Sequence, residues 1–340
     1  MWISFDDHAS KQKKVRLKNR QINRFLSLSL FLISFSIAED SSSPHLLIIG
    51  FGSVSQCALP LIIDLLLSKN QITLITIIDA LDVRTKLQSY LSQYEQIRFS
   101  QEILTKDNYE EILSKYLIAD DILLDLAFNI ETRCLLKWCH QHRIRFVNTS
   151  VELWHPFDDP RLSTLYHRYM QLMDMQSDRF WKRNGPTAII DHGCNPGLVS
   201  HFVKRALIDM TEHVLVRSLI DIPTNDRHEL EQALKEKNYP RLAYLLGIKT
   251  IHISERDTQI SNQPKQVNEF VNTWSVDGLI EEATAPAEFG WGTHERNIPE
   301  GLLFQREDNG PCNLVCLTRR GMNTWVNILF VRHRMRNDDF

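Results

Sequence analysis

Along the first half of the chain, short apolar runs alternate with segments of helical period. The strand-like runs are Leu46–Ile49, Leu74–Ile78, Ile97–Phe99, Ile122–Leu126 and Arg145–Asn148. Each is short, nearly continuous in apolar character and bounded by breakers, as strands buried on both faces are. Helical patterns fill the gaps, the clearest over Ser53–Leu67, Asp107–Tyr116 and Glu131–His142. Strand and helix in strict alternation predict an α/β fold, a Rossmann-type doubly wound parallel sheet over residues 44–150.

The second half changes character near Val151. A strand is expected at Thr187–Ile190, then a turn, His192-Gly193-Cys194-Asn195-Pro196-Gly197, then a helix through Val203 and Ala206. Asn195 reads either as the cap of that helix, with Pro196 at its first position, or as a pocket residue. Asp221–Tyr239 is polar and helical. Lys249–Ser254, Val267–Trp274 and Leu279–Glu282 read as strands of a mostly antiparallel sheet, so residues 151–327 form a second, α+β substrate domain.

One stretch of the first half carries chemistry. Leu46–Ile49 runs straight into Gly50-Phe51-Gly52, and a helix opens at Ser53 and Val54. Strand, glycine turn and helix in that order make a dinucleotide-binding turn. Gly50 allows the tight turn, Gly52 leaves no side chain in the way of a pyrophosphate, and the helix start offers backbone N–H groups to the anion. A third glycine is missing, its place taken by Ser55. The second run ends in Asp79, placed to bind ribose hydroxyls, and no arginine follows before Arg84, which favours NAD over NADP. Ligands of such sheets lie at the carboxyl ends of the strands. Ala127-Phe128-Asn129 and the segment from Thr149 to Trp154 fall there, on the nicotinamide side.

Composition narrows the partners. In 340 residues, 39 basic side chains stand against 42 acidic ones, a net charge of -3. Neither a nucleic acid nor an acidic substrate is favoured by such a balance. Six cysteines without CxxC spacing fit free thiols in a reducing cytoplasm and no metal centre. Residues 1–43 form a leader. Lys11–Arg24 carries seven basic residues, and the 14-residue apolar run Phe25–Ala38 ends in a cleavage-like Ser36-Ile37-Ala38. That is signal-peptide grammar, too short for a normal membrane span. A cytoplasmic protein with a disordered leader is preferred, because a nicotinamide cofactor is supplied there; export is the alternative.

The second half also carries a resemblance. Ile251-His252-Ile253-Ser254-Glu255-Arg256-Asp257-Thr258-Gln259, Val271-Asn272-Thr273-Trp274-Ser275-Val276-Asp277-Gly278 and Pro286-Ala287-Glu288-Phe289-Gly290-Trp291-Gly292-Thr293-His294-Glu295 resemble the bacterial homospermidine synthase family, relatives of saccharopine dehydrogenases. Gly50-Phe51-Gly52-Ser53, Val151-Glu152-Leu153-Trp154 and Asn195-Pro196-Gly197-Leu198-Val199-Ser200 match it too, so the likeness spans residues 45–327. The resemblance implies a homodimer that uses NAD to oxidise putrescine to an imine. Ammonia is then lost, a second putrescine or spermidine condenses, and the product is reduced to homospermidine. A related saccharopine dehydrogenase-like oxidoreductase, or an inactive NAD-binding remnant, is the alternative.

By the same resemblance Glu152, Glu255 and Glu282 are substrate carboxylates, Asn195 lies in the catalytic pocket and Trp274 holds the charged amine. An ammonium over an indole face gains ~0.5–2 kcal/mol. Asn129 departs from the family, which more often carries aspartate there, and His294 reads as structural. Gly321-Met322-Asn323-Thr324-Trp325-Val326 still matches, whereas 328–340 reads as a basic tail outside the family. Members continue past this point and supply a histidine and a glutamate from there, so the sequence reads as a truncated relative.

Overall fold

The computed structural model describes residues 2–4, 43–155, 164–177, 185–217, 224–248, 250–252, 264, 266–269, 275–290, 303–306 and 312–320. Two compact units emerge. One comprises Met1–Trp154 with Lys182–Ser275, the other His155–Trp181 with Val276–Phe340.

The first unit is built on a six-stranded parallel sheet. Its strands are β1 (His45–Ile49), β2 (Leu74–Asp79), β3 (Ile97–Gln101), β4 (Ile122–Asp125), β5 (Arg145–Asn148) and β6 (Ala188–Ile189). They lie in the order β3-β2-β1-β4-β5-β6, every neighbouring pair parallel. The chain therefore winds outward from β1 in one direction, returns, and winds outward in the other. That reversal opens a crevice at the carboxyl ends of β1 and β4.

Helices α1 (Ser53–Ile62), α2 (Arg84–Gln93), α3 (Tyr109–Tyr116) and α4 (Thr132–His142) alternate with the strands. The apolar runs read from the sequence are the core: Leu46, Ile48, Ile75, Ile77, Ile122 and Leu124 pack with Leu59, Ile62 and Leu66 of the first crossover. Strands buried on both faces explain why these runs show no alternation. After α1 the helix continues as a wider turn, Ile63–Leu67. Beyond β6 the unit adds helices Leu198–Arg217, Thr224–Glu236 and Tyr239–Leu245, which share a small core of Leu207, Leu230, Ala233 and Leu242. Thr250–His252 is a short strand, as expected near Lys249–Ser254, and its antiparallel partner is Trp2–Ser4 of the leader.

The second unit holds a helix, Leu165–Ser177, a helix Val276–Thr284 and a three-stranded antiparallel sheet. Cys312–Arg320 is central there, between Leu303–Arg306 and Pro286–Gly290. An antiparallel sheet is thus present, but from other segments than expected. Leu279–Glu282, expected as a strand, lies inside the helix Val276–Thr284. Its apolar residues Val276, Leu279, Ile280 and Ala283 also satisfy the helical period, and a four-residue run does not separate the two readings. Of the expected strand Val267–Trp274, residues 267–269 are a turn, closed by Glu269 N–H on the Gln266 carbonyl oxygen with Asn268 at φ +64°, and 270–274 lie outside the described residues.

Candidate functional site

The site begins where β1 ends. Gly50 has φ +85°, and its N–H donates to the Ile78 carbonyl oxygen at 2.8 Å. A Cβ there would stand 3.0 Å from the backbone of Ala127 and from the Leu126 carbonyl oxygen. Both the backbone angle and the approach of the chain after β4 demand glycine. Gly52 differs: nothing lies within 4 Å of where its Cβ would be. A side chain is absent from open space, the cradle a phosphate group would fill.

Gly52 is the N-cap of α1, which has neither a side-chain cap nor an acidic residue in its first turn. The first N–H groups of a helix have no partner within it, so Ser53 and Val54 present donors and the positive dipole end to that space. Ser55, in place of the third glycine, is buried, and its hydroxyl donates to the Gly50 carbonyl oxygen. The turn is thereby tied to its helix. Phe51 is 1% exposed, its ring in the core, and its N–H donates to Asp79 Oδ2 at 2.6 Å. Asp79 Oδ1 accepts from Leu81 N–H at 2.8 Å. Held at both oxygens, the half-buried carboxylate keeps further lone pairs for hydroxyl donors. Arg84, the first arginine after it, is paired with Asp82 at 3.0 Å and lies over the Phe99 ring, 5.7 Å from its centre.

The other wall comes from the ends of β4 and β5. Asn129 sits in the left-handed region, φ +61°, with a buried Oδ1 that has no partner among the described residues. Thr149 follows β5 and abuts Gly193, whose Cβ would stand 3.4 Å from the Thr149 Cβ and carbonyl oxygen. Between them Asn148, 1% exposed, is a hub. Its Nδ2 donates to Thr132 Oγ1 at 3.1 Å and to the Ser150 carbonyl oxygen at 2.6 Å, while its Oδ1 accepts from Asp191 N–H at 2.8 Å.

Glu152 is fixed by that hub. Its N–H donates to Thr132 Oγ1 at 2.9 Å, and Ser150 Oγ donates to its Oε1 at 2.6 Å. The carboxylate is 7% exposed, and Oε2 has no partner among the described residues. A buried carboxylate oxygen left unmatched costs free energy unless a ligand supplies the donor. Beside it stands a residue that the sequence reading passed over. Asp125, the last residue of β4, is fully buried; burial pushes its carboxyl up to about 8, with the neighbouring Glu152 charge adding to the rise. In the sequence it is the polar end of an apolar run, a pattern shared by countless strand ends, and only burial sets it apart.

Asn195 is exposed and does not cap a helix. The segment 193–197 closes on itself: Gly193 N–H donates to the Pro196 carbonyl oxygen, and Leu198 N–H returns to that of Gly193, both at 2.9 Å. The helix starts only at Leu198, after Gly197 at φ +118°. Glu255, Trp274 and His294 lie outside the described residues, as does the side chain of Glu282.

In the second unit the acidic side chains are otherwise engaged. Glu281, 5% exposed, pairs with Arg168, so the expected solvated Glu281-Glu282 face is a buried ion pair at its first member. The Glu288 carboxylate accepts N–H groups of Leu165 and Tyr166 at 2.7 and 2.8 Å, and Thr164 Oγ1 accepts from His167 N–H at 3.1 Å. These satisfy the donors at the start of the helix Leu165–Ser177.

A parallel sheet reversing direction at β1 and β4, an open glycine cradle on a helix start and an acid at the end of β2 define a dinucleotide-binding protein. Residues 46–189 match the family of the saccharopine dehydrogenase NADP binding domain, and residues 193–328 match the saccharopine dehydrogenase C-terminal domain. A homospermidine synthase of Blastochloris viridis is 34% identical over 83% of the chain and 56% of its own length; one from Mesorhizobium japonicum is 31% identical over 82% and 55%. The crystal structure of the homospermidine synthase of Legionella pneumophila in complex with NAD superposes with a TM-score of 0.60, at 33% identity, over 82% of this chain and 54% of that one. The chain belongs to the saccharopine dehydrogenase family, and within it its likeness is to the homospermidine synthases. It spans about half the length of the curated relatives it matches.

Proposed function

We propose that the chain carries the cofactor half, and part of the amine pocket, of an NAD-dependent homospermidine synthase. The observation that carries this reading is Glu152: a buried carboxylate, aligned by Ser150 and Thr132, with one oxygen unmatched at the carboxyl end of the sheet. A cation is the ligand that satisfies such an oxygen, and putrescine or spermidine is a cation with the reducing equivalents that a nicotinamide takes up.

The residues present fit the cofactor. Gly52 leaves room for the pyrophosphate, Ser53 and Val54 present N–H groups to it, and Asp79 has lone pairs for the ribose. The engagement of Arg84 by Asp82 supports NAD, since a 2′-phosphate is usually met by a free arginine there. When bound, the nicotinamide supplies the hydride acceptor and donor. The chain does the rest. Glu152 neutralises one ammonium and accepts protons from the reacting nitrogen. Asn129 Oδ1 accepts an N–H from the same amine or from the nicotinamide amide. Asn195, exposed on its turn, borders the pocket. By the family likeness, Glu255 takes the far ammonium and the Trp274 indole face holds the charge between.

Purified protein incubated with NAD and putrescine tests the reading, with homospermidine measured by chromatography. Product formation supports it, and Trp274→Phe then weakens diamine binding in calorimetry while NAD affinity stays the same. NAD binding with no amine binding favours the second reading, a cofactor-binding remnant.

A further inference from the structure

Two histidines without a part in the mechanism above meet beside the Asn195 turn. His192 lies just after β6, and His201 lies on the first turn of the helix Leu198–Arg217. Their Nε2 atoms face each other at 3.2 Å, with ring centres 5.3 Å apart and ring planes inclined at 53°. His201 is exposed and His192 half-buried, so the pair is reachable from solvent.

The backbone between them is closed on itself, so their approach is built into the fold. His192 N–H donates to the Asn148 carbonyl oxygen at 3.1 Å. The N–H groups of Leu198, Val199 and Ser200 donate to the carbonyl oxygens of Gly193, Cys194 and Gly197 at 2.9, 3.0 and 3.0 Å. A Cβ on Gly197 would stand 2.6 Å from the Gly193 carbonyl oxygen, and only glycine lets the two ends of the turn come this close. Two rings, one after a strand and one on a helix start, are thus preorganised through their backbones.

As a hydrogen bond this contact sits at the long end of the N–H range and uses the lone pair of one ring only. The same separation suits a shared metal ion. Metal–nitrogen bonds of ~2.0–2.1 Å, meeting at angles between right and tetrahedral, set two donors roughly 2.9–3.4 Å apart. We infer that His192 and His201 form a two-histidine site for a divalent transition-metal ion of the imidazole-preferring class, Zn2+, Ni2+ or Cu2+. Among the described residues no group of three histidines, cysteines or carboxylates converges, so water fills the remaining positions on the ion. Neutral imidazole is the form that binds metal. Burial, with His192 and Lys204 adding to it, holds His201 below the ordinary histidine value and so keeps it neutral at pH 7. The Lys204 ammonium lies over the Tyr239 ring, 5.4 Å from its centre. The ion takes the place of the proton between the rings and fastens the helix start to the end of β6. Cu2+ binds more tightly than Ni2+ or Zn2+, and Mg2+, which prefers oxygen, is refused. The site is independent of the amine reading.

Calorimetry with Zn2+ on the full chain, with its thiols kept reduced, compares the wild type with His192→Gln, His201→Gln and Cys194→Ser. The expected result is a Zn2+ site whose affinity falls at least about tenfold in either histidine variant and is kept in Cys194→Ser. The paramagnetic resonance of one equivalent of Cu2+ should show splitting from two ring nitrogens in the wild type, and from one fewer in either histidine variant. His201→Gln changes an exposed side chain and should unfold at the wild-type denaturant midpoint, so its lost affinity is not lost fold. If His192→Gln fails to fold, His201→Gln and its Cu2+ spectrum decide alone. Absence of any Zn2+ site in the wild type overturns the inference. Equal Zn2+ affinity in the wild type and the folded histidine variants does so too, because the ligands are then other side chains.

Discussion

Both units bury carboxylates, and the two at the carboxyl end of the parallel sheet are held differently from Glu281 and Glu288 of the second unit. In the second unit Glu281 forms an ion pair with Arg168 and the half-buried Glu288 accepts the two N–H groups at the start of a helix, so each negative charge faces a positive group or donors of the chain itself, although Glu281 Oε1 makes no well-formed hydrogen bond among the described residues. In the first unit Glu152 keeps an unmatched oxygen and Asp125 has one N–H partner. A fold tolerates such a deficit where a ligand completes it, because an unpaired buried acid otherwise lowers stability. Burial, even with an unmatched oxygen, therefore does not by itself mark a functional acid; the distinction of Glu152 is that no ion pair among the described residues includes it.

The contrast is sharpest in stability. Glu281→Gln removes a carboxylate from the largely enclosed Arg168, and a loss of about 3–5 kcal/mol is expected in denaturant unfolding. A loss below about 1 kcal/mol would place the pair among solvated surface bridges. Asp125→Asn should act in the other direction. Its carboxyl is raised in the folded state, so its contribution to stability is full below the ordinary carboxylate range and falls as pH rises toward about 8. The variant should be more stable than the wild type at pH 8 by roughly 2–4 kcal/mol, with the two converging near pH 4, when thermal or urea unfolding is followed across that range.

Smaller effects separate cradle from scaffold. Gly50→Ala meets backbone at 3.0 Å and a left-handed angle, and should cost about 2 kcal/mol of stability. Gly52→Ala, entering empty space at an ordinary φ of -75°, should leave unfolding within ~0.5 kcal/mol while weakening NAD roughly tenfold in calorimetry. Equal NAD affinity for the Gly52 variant would remove the pyrophosphate from that space. Smallest is Glu288→Gln, which keeps an acceptor at the helix start but loses the charge; about 0.5–1 kcal/mol is expected in the same unfolding assay.

Much of the first unit is written in local sequence. Strands buried on both faces announce themselves as apolar runs, and the glycine turn is a run of adjacent residues whose conformations and spacing are set by their own chemistry. The helix at Thr132–His142 and the acid at Asp79 follow for the same reason. Asp125 was hidden because its meaning comes from what surrounds it, Cys139 and Glu152, which are 14 and 27 positions away. The capping alternative for Asn195 fails because, although Asn-Pro is a capping signal, backbone bonds within the 193–197 turn supply the helix entry instead. Leu279–Glu282 misled because four residues fit two periods.

The Asn148 side chain has a mechanical consequence. Its amide cannot be reversed, since Oδ1 faces a peptide N–H and Nδ2 faces a peptide oxygen. Through it the Glu152 segment, the start of α4 and the backbone at Asp191 share one rigid plate. The turn bearing Asn195 is anchored to that plate by the backbone bond from His192 N–H to the Asn148 carbonyl oxygen, at 3.1 Å. Any rearrangement that carries the Asn195 turn away from the sheet has to drag this joint with it or snap it, so the turn and the Glu152 segment shift as a pair.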